Sequence, residues 1–386
     1  RAGLLSVGVI SAGAPDFISN HLSKLMPLLV QGLKNEHPIV KLAALETFNE
    51  LAGQLQNSLA GYHETLLPLL MEVIQSSSYQ SIYKYATYAL DGILEYMEQE
   101  AIVPYLEPLT NKLFEMLNQA NSSSLKTAIV SAIGSTAFAA GKAFIPFFDN
   151  SLKMLEPLIK IPDSLEGLTT DDIELIASTF ENISTVARAV GAQSFAKFAE
   201  PLIGSSYVCI SSENPRLRES GFTFINNMAK VYGEDFSPFL PKLIPAIIKC
   251  LQQDELLFNT GDDEEEEIED MEDIAKNLQI STGITMEKEI ATIALGELAS
   301  ATKNHFGEYV EEVVNVLLEQ TDSFTINSVC IGTLWTIVIA LYENNVSLKK
   351  FPVGAVTENY VPDELLNIIK AVREKSIEIL QEEYEI

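Results

Sequence analysis

Carboxylate side chains are the most conspicuous chemical groups of this sequence. The segment DDEEEEIEDMED, residues 262–273, carries ten of them in twelve positions. They are Asp262, Asp263, Glu264, Glu265, Glu266, Glu267, Glu269, Asp270, Glu272 and Asp273. Like charges at this density cannot enter a packed core, so we predict a solvated segment. It is either a solubilising tether or a mobile polyanion that attracts the lysines and arginines of a basic partner.

Acidity extends beyond this segment to the whole chain, which has 54 acidic and 25 basic residues and a formal charge of −29. We therefore expect neither nucleic acid nor an anionic membrane as a partner, because phosphate groups would be repelled. Basic proteins are the expected partners. The chain shows no signal peptide and no stretch that we would expect to span a membrane, which indicates a cytosolic or nuclear protein.

Catalytic and metal-binding patterns are missing from the sequence. Neither a GxxxxGK[ST] phosphate loop nor a GxSxG nucleophile turn occurs. The histidines and cysteines are scattered, without the spacing of a metal site or a disulfide framework. They are His21, His37, His63, His305, Cys209, Cys250 and Cys330. We predict a protein that is not an enzyme, needs no cofactor or metal, and keeps its thiols reduced and buried.

A sequence repeat indicates which secondary-structure elements position the candidate binding residues. A proline lies inside a short apolar cluster six times, 40 to 49 residues apart, at Pro27, Pro68, Pro108, Pro157, Pro201 and Pro245. After each cluster comes a polar break and a second segment with apolar residues three and four apart, so both segments predict amphipathic helices. Two helices in about 40 to 47 residues are typical of HEAT repeats. We predict an all-α fold, an α-solenoid superhelix of seven two-helix units with partial ends.

Two segments interrupt the predicted array, which spans residues 1–386. Residues 254–283, which contain the carboxylate run, are predicted as a loop inserted between the two helices of one repeat. Residues 346–361 are predicted as an irregular linker before the last helix. The chain begins within an apolar helix that no polar cap precedes, so we expect an internal segment of a longer array.

Polar or small residues recur in the middle of the otherwise apolar second helices. We call this set the polar column: Asp91, Ser131, Ser135, Glu181, Asn182, Asn226, Asn227, Glu297 and Trp335. Pairs four residues apart share a helix face. The column is either a solvated face or a surface for an extended peptide that carries lysines, with Asp91, Ser131, Ser135 and Asn182 forming one lysine pocket. Trp335 is either a core residue or a cation–π partner of a basic side chain.

Two segments carry a family resemblance, NNMAKVYGEDFSPFLPKLIPAIIKCLQ and MEKEIATIALGELASATKNHFGEYVEEVVNVLLEQ, with the acidic run between them. They resemble the importin-β family of karyopherins, in particular the fungal importers of ribosomal proteins and histones. The resemblance implies a monomeric receptor that shuttles between cytoplasm and nucleus through the nuclear pore. Its inner surface would bind the lysine-rich nuclear localisation signals of basic cargo, and its outer surface Phe-Gly nucleoporins.

The resemblance further implies that the Ran GTPase releases the cargo, although the N-terminal repeats that make the main Ran contact in the family are not found in this sequence. A passive HEAT-repeat scaffold of a multiprotein complex is the alternative.

Overall fold

The structure is a computed structural model that describes residues 1–76, 79–162, 164–253, 271–323, 325–347 and 362–384. All regular structure in these ranges is helical. The α-helices are α1 (Ala2–Gly13), α2 (Pro15–Leu33), α3 (Pro38–Leu55), α4 (Asn57–Ala60), α5 (His63–Ser76), α6 (Gln80–Leu94), α7 (Gln99–Gln119), α8 (Ser123–Ala140), α9 (Ile145–Leu155), α10 (Thr170–Val190), α11 (Ala192–Ile210), α12 (Pro215–Tyr232), α13 (Leu240–Leu251), α14 (Met271–Thr302), α15 (Val310–Gln320), α16 (Asn327–Ser347) and α17 (Asp363–Tyr384). Short 3-10 segments precede α9, α13 and α15.

The helices form the two-helix units of a HEAT-repeat solenoid, which confirms the predicted fold class. The repeated prolines lie in the first helices α2, α5, α7, α11 and α13, and Pro157 lies in the 3-10 turn after α9. The second helices pack on one another in sequence, α3 on α6, α6 on α8, α8 on α10, then α12 on α14 and α14 on α16. The second helices therefore carry the polar column along neighbouring repeats.

The chain divides into two compact units, Arg1–Lys197 and Phe198–Ile386. Each has its own apolar core, in which phenylalanines are the largest fully buried side chains. They are Phe48, Phe144, Phe180 and Phe195 in the first unit, and Phe222, Phe224, Phe236 and Phe306 in the second. The three cysteines are free and buried, as predicted. Burial raises the pKa of the Cys209 thiol to about 12 and that of Cys330 to about 11, so both stay protonated at neutral pH.

Side-chain caps set where several second helices begin. The Asn214 side chain accepts hydrogen bonds from the backbone N–H groups of Arg216 and Leu217, with Pro215 at the first position of α12. Thr169 and Asp172 form a reciprocal capping box at the start of α10. These contacts satisfy backbone donors that have no partner inside the helix. The caps therefore fix where α10 and α12 begin.

A backbone turn with positive φ follows several second helices and leads into the next repeat. Gly141 (φ 53°, ψ −133°) and Gly233 (φ 56°, ψ −129°) adopt it after α8 and α12. Gln56 adopts the same conformation after α3, at φ 41° and ψ −115°. Only glycine enters this region without steric strain, so the repeat stores backbone strain at Gln56.

The predicted absence of a membrane-length apolar stretch is wrong. Ser123–Ile159 contains a window with mean hydropathy 1.5, apolar and long enough to cross a membrane by composition alone. However, 61% of that window is buried inside the protein, and α8 packs against α6, α7 and α10. The small alanines of α8 raise its hydropathy while allowing close helix packing. This stretch is thus a core element of the first unit.

The two predicted irregular segments fall largely outside the described residues. Of the predicted loop 254–283, residues 254–270 lie outside them, and α14 begins at Met271, so the loop prediction is wrong for residues 271–283. That stretch, MEDIAKNLQISTG, contains good helix formers and no proline, which explains why it extends α14. Of the predicted linker 346–361, residues 348–361 lie outside the described ranges, and α16 continues to Ser347.

Candidate functional site

Asp91 and Ser135 form the centre of the candidate site in the first unit. Asp91 lies on α6 and Ser135 on α8, and the Ser135 hydroxyl donates a hydrogen bond of 2.6 Å to Asp91 Oδ1. Both side chains are half-buried. Burial raises the pKa of Asp91 to about 6; the hydrogen bond from Ser135 opposes this shift and the nearby Glu95 carboxylate adds to it. At pH 7 the carboxylate is about 90% ionised.

No lysine, arginine or histidine contacts the Asp91 carboxylate within the part of the chain that the structure describes. A half-buried carboxylate with one hydroxyl donor retains lone pairs that a cation would satisfy. Asp91 is therefore the position of the polar column best suited to accept an ammonium group.

Ser131, Ser178 and Asn182 form a second polar cluster one turn away, between α8 and α10. The hydroxyl oxygens of Ser131 and Ser178 are 3.5 Å apart, and Asn182 Nδ2 donates to the Ser178 carbonyl (2.8 Å) and hydroxyl (3.3 Å). The amide nitrogen of Asn182 is thereby occupied, whereas its Oδ1 extends over Gly134. A Cβ atom added at Gly134 would lie 1.8 Å from that oxygen. The absent side chain of Gly134 thus makes room for an acceptor beside Ser135.

The structure places the four predicted pocket residues on three neighbouring helices, in two groups: Asp91 bonded to Ser135, and Ser131 with Asn182 around Ser178. Asp91 comes from α6, Ser131 and Ser135 from α8, and Asn182 from α10. The cluster presents carboxylate, hydroxyl and amide oxygens, which are acceptors for the three N–H donors of a lysine ammonium. Whether this cluster binds a peptide remains a prediction.

Aromatic side chains lie about one helical turn from Asp91 and Ser135 on the same helices, and our sequence reasoning missed them. Phe138, three residues after Ser135, is 47% exposed, and the Arg188 guanidinium lies 5.6 Å from its ring centroid. Tyr88, three residues before Asp91, has the Lys84 ammonium 5.5 Å from its ring centroid. The signal was available in the helical spacing, because residues three apart share a face. These rings give the surface cation–π partners as well as acceptors.

The two asparagines of the polar column in the second unit are buried. Asn226 and Asn227 on α12 are only 8% and 9% exposed. Asn226 Oδ1 is buried and has no hydrogen-bond partner among the described residues. Glu297 on α14 forms an ion pair of 2.9 Å with Lys230 on α12. The carboxylate that we predicted to attract an external lysine is therefore already paired with an internal one.

The two remaining positions of the polar column, Glu181 and Trp335, are both half-buried. The Glu181 backbone carbonyl accepts hydrogen bonds from Ser184 and Thr185 on the same helix. The indole N–H of Trp335 on α16 donates to Ser376 Oγ on α17 at 3.3 Å. Trp335 thus joins two helices, which agrees with a structural role for its indole N–H. Its cation–π role remains a prediction.

A buried ion pair in the second unit went unnoticed in the sequence. The fully buried Glu287 receives two hydrogen bonds of 2.6 Å from Arg218, and Cys250 Sγ donates to it at 2.8 Å. The pair joins α12 to α14, with Cys250 on α13. Removing either residue would leave the other as an uncompensated buried charge. We therefore assign the pair of Arg218 and Glu287 a structural role and not a binding role. Among the described residues, no three His, Cys, Asp or Glu side chains are grouped as metal ligands would be.

These features define the class of the protein: a HEAT-repeat protein whose second helices present polar side chains. The family described as "Importin subunit beta-1-like, TPR repeats" matches residues 7–174. The chain belongs to the importin-β family of karyopherins, the nuclear transport receptors.

Similar proteins cover 81–100% of this chain, although the chain covers only 29–37% of each of them. It is 31% identical to the probable importin subunit beta-4 of Schizosaccharomyces pombe, over 100% of this chain and 37% of that protein. It is 22% identical to importin subunit beta-3 of Saccharomyces cerevisiae, over 81% of this chain and 29% of that protein. Among solved structures, Kap121p bound to Pho4p has a TM-score of 0.75 at 18% identity, over 97% of this chain and 35% of that one. At this low sequence identity, the structural similarity is evidence for a shared fold and not for a shared function.

Proposed function

We propose that this chain is a cargo-binding segment of a nuclear import receptor, and that it binds lysine-rich nuclear localisation signals on its second helices. The observation that carries the proposal is Asp91, a half-buried carboxylate that no cation contacts in the described part of the chain. A lysine ammonium placed there would meet Asp91, the hydroxyls of Ser131 and Ser135, and Asn182 Oδ1. Hydrogen bonds to charged groups contribute about 1.5–3 kcal/mol, more than a typical neutral pair.

Charge and the neighbouring rings support a basic partner. The net charge of −29 attracts basic proteins and repels nucleic acid and anionic membranes. Tyr88 and Phe138 already attract internal cations, so their faces suit further lysine or arginine side chains. Glu181, Asn226, Asn227, Glu297 and Trp335 extend the proposed surface. We further propose that the carboxylates of residues 262–273 raise the local concentration of basic cargo.

The wider biology is proposed for the whole receptor. The cargo would be basic proteins such as histones and ribosomal proteins, and the receptor would shuttle as a monomer between cytoplasm and nucleus. Kap121p, which shares this fold, has been solved bound to Pho4p, Ste12p and Nup53p. These complexes support protein partners for the fold, and the last supports a nucleoporin partner. Displacement of a bound lysine-rich peptide by Ran-GTP in the full-length protein would separate a receptor from a passive scaffold.

A calorimetric titration with a lysine-rich peptide tests the site. Replacing Asp91 with Asn and Asn182 with Ala should weaken binding by about 1–3 kcal/mol, because the ammonium loses its charged partner and one acceptor. Asp149→Asn is the matched control, since this exposed carboxylate pairs with Lys197 at 3.0 Å and its loss changes the net charge equally. Unchanged affinity in the double variant, or an equal loss in the control, would leave Asp91 and Asn182 as residues that only join helices.

A further inference from the structure

The second unit contains a carboxylate of the polar column that an internal lysine covers. Lys230 and Asn226 lie four residues apart on one face of α12, and Lys230 Nζ contacts Glu297 Oε1 of α14 at 2.9 Å. The pair is accessible, with Lys230 41% and Glu297 30% exposed. One helical turn before Lys230 on α12, the buried Asn226 Oδ1 has no donor among the described residues. The site thus combines a neutralised carboxylate with an unused acceptor.

We propose that Lys230 is an internal competitor that occupies the position of a cargo lysine on Glu297. This inference rests on the proposed function, because it assumes that column carboxylates bind lysines. Chemically, Lys230 presents to Glu297 the ammonium group that a lysine-rich peptide would present. Because Lys230 is tethered to α12, it binds without the loss of translational freedom that an external lysine would incur. A peptide must therefore displace Lys230 to bind Glu297, which only peptides with several basic residues do.

The contrast with Asp91 supports a competitor over a purely structural pair. Asp91 is hydrogen-bonded by a hydroxyl, whereas Glu297 has a cation. The junction between α12 and α14 does not depend on Lys230, because the buried pair of Arg218 and Glu287 already joins these helices through two contacts of 2.6 Å. A partly exposed lysine–carboxylate pair contributes little to stability. Lys230 is thus free to leave Glu297 without loosening the repeat.

The test measures hexalysine binding to the whole 386-residue chain in the Asp91→Asn/Asn182→Ala background, at 0.15 M salt. This background removes the first-unit site, so that the remaining affinity reports other acidic positions. Adding Lys230→Gln should raise hexalysine affinity about twofold to fivefold, the range expected from releasing one partly exposed carboxylate. Adding Glu297→Gln to that variant should remove the gain, and Lys230→Arg, which keeps the pair, should leave affinity unchanged.

Lys303→Gln is the control for net charge. Lys303 pairs with Glu234 at 2.5 Å, with both side chains about half exposed, and its substitution changes the charge by the same amount. No gain from Lys230→Gln, a gain that persists in the presence of Glu297→Gln, or an equal gain from Lys303→Gln would overturn the proposal. These outcomes differ from failure of the proposed function, in which the Asp91→Asn/Asn182→Ala background alone would bind hexalysine as tightly as the parent chain does.

Discussion

Lowering the pH from 7 to 5 should weaken the binding of a lysine-rich peptide about tenfold if Asp91 is its main charged partner. The pKa of Asp91 is raised to about 6, chiefly by burial. The ionised fraction therefore falls from about 0.9 at pH 7 to about 0.1 at pH 5, which corresponds to about 1.3 kcal/mol of binding free energy. The lysines of the peptide, with pKa values of about 10.4, stay charged over this range.

The assay is a fluorescence anisotropy titration of the peptide between pH 5 and 8 at constant ionic strength. Asp91→Asn is the control, because it differs from the parent chain only at this carboxyl group and keeps every other ionisable side chain. We expect weak binding by this variant and a much flatter dependence on pH. Parallel curves for the parent chain and Asp91→Asn would refute the assignment of the lysine site to Asp91.

The remaining predictions concern stability and association. Asp91→Asn should stabilise the fold at pH 7 by about 1–3 kcal/mol in a denaturant titration, since a folded-state pKa raised from 3.8 to about 6 means that ionisation opposes folding as pH rises through this interval. Gln56→Gly should raise the free energy of unfolding by about 1 kcal/mol by relieving strain at φ 41°, whereas Gln56→Ala should not. Gly134→Ala should lower the free energy of unfolding by about 1–3 kcal/mol, because the added Cβ would displace the Asn182 side chain. Gly53→Ala is the control and should stabilise α3, because a Cβ added there has no other atom within 4 Å. Exchanging the carboxylates of residues 262–273 for amides should leave the thermal midpoint nearly unchanged and slow peptide association at low salt; overlaying stopped-flow traces would contradict this role.

The repeat was predictable because its signals are local. Each apolar cluster with a proline and each segment with apolar residues three and four apart reports the face of one helix, and these faces determine the stacking. Positions such as Asp91, Ser135 and Asn226 stand out because a polar residue interrupts an apolar helix. The start of α14 at Met271 was missed because the nearby charge was given more weight than the helix-forming residues that follow.

The contacts of the polar column were not predictable, because they depend on how neighbouring helices rotate and slide against each other. Asn182 donates to Ser178 on its own helix and extends its Oδ1 over Gly134, a contact that requires the close approach of α8 and α10. The pairing of Lys230 with Glu297 likewise depends on the register between α12 and α14. Spacing in one sequence gives the residues that share a face, but the distance across to the next helix requires the structure.

Three carboxylates on the second helices differ in whether a cation of the chain already pairs with them, and this difference distinguishes structural from binding positions. Glu287 is fully buried and receives two hydrogen bonds of 2.6 Å from Arg218, so an external cation has no access to it. Glu297 is accessible but paired with Lys230, so an external lysine must compete. Asp91 has a hydroxyl donor and a pKa raised by burial, so its ionisation has a free-energy cost that a bound ammonium would offset. The strongest cation site is therefore expected at the carboxylate whose charge the fold itself compensates least.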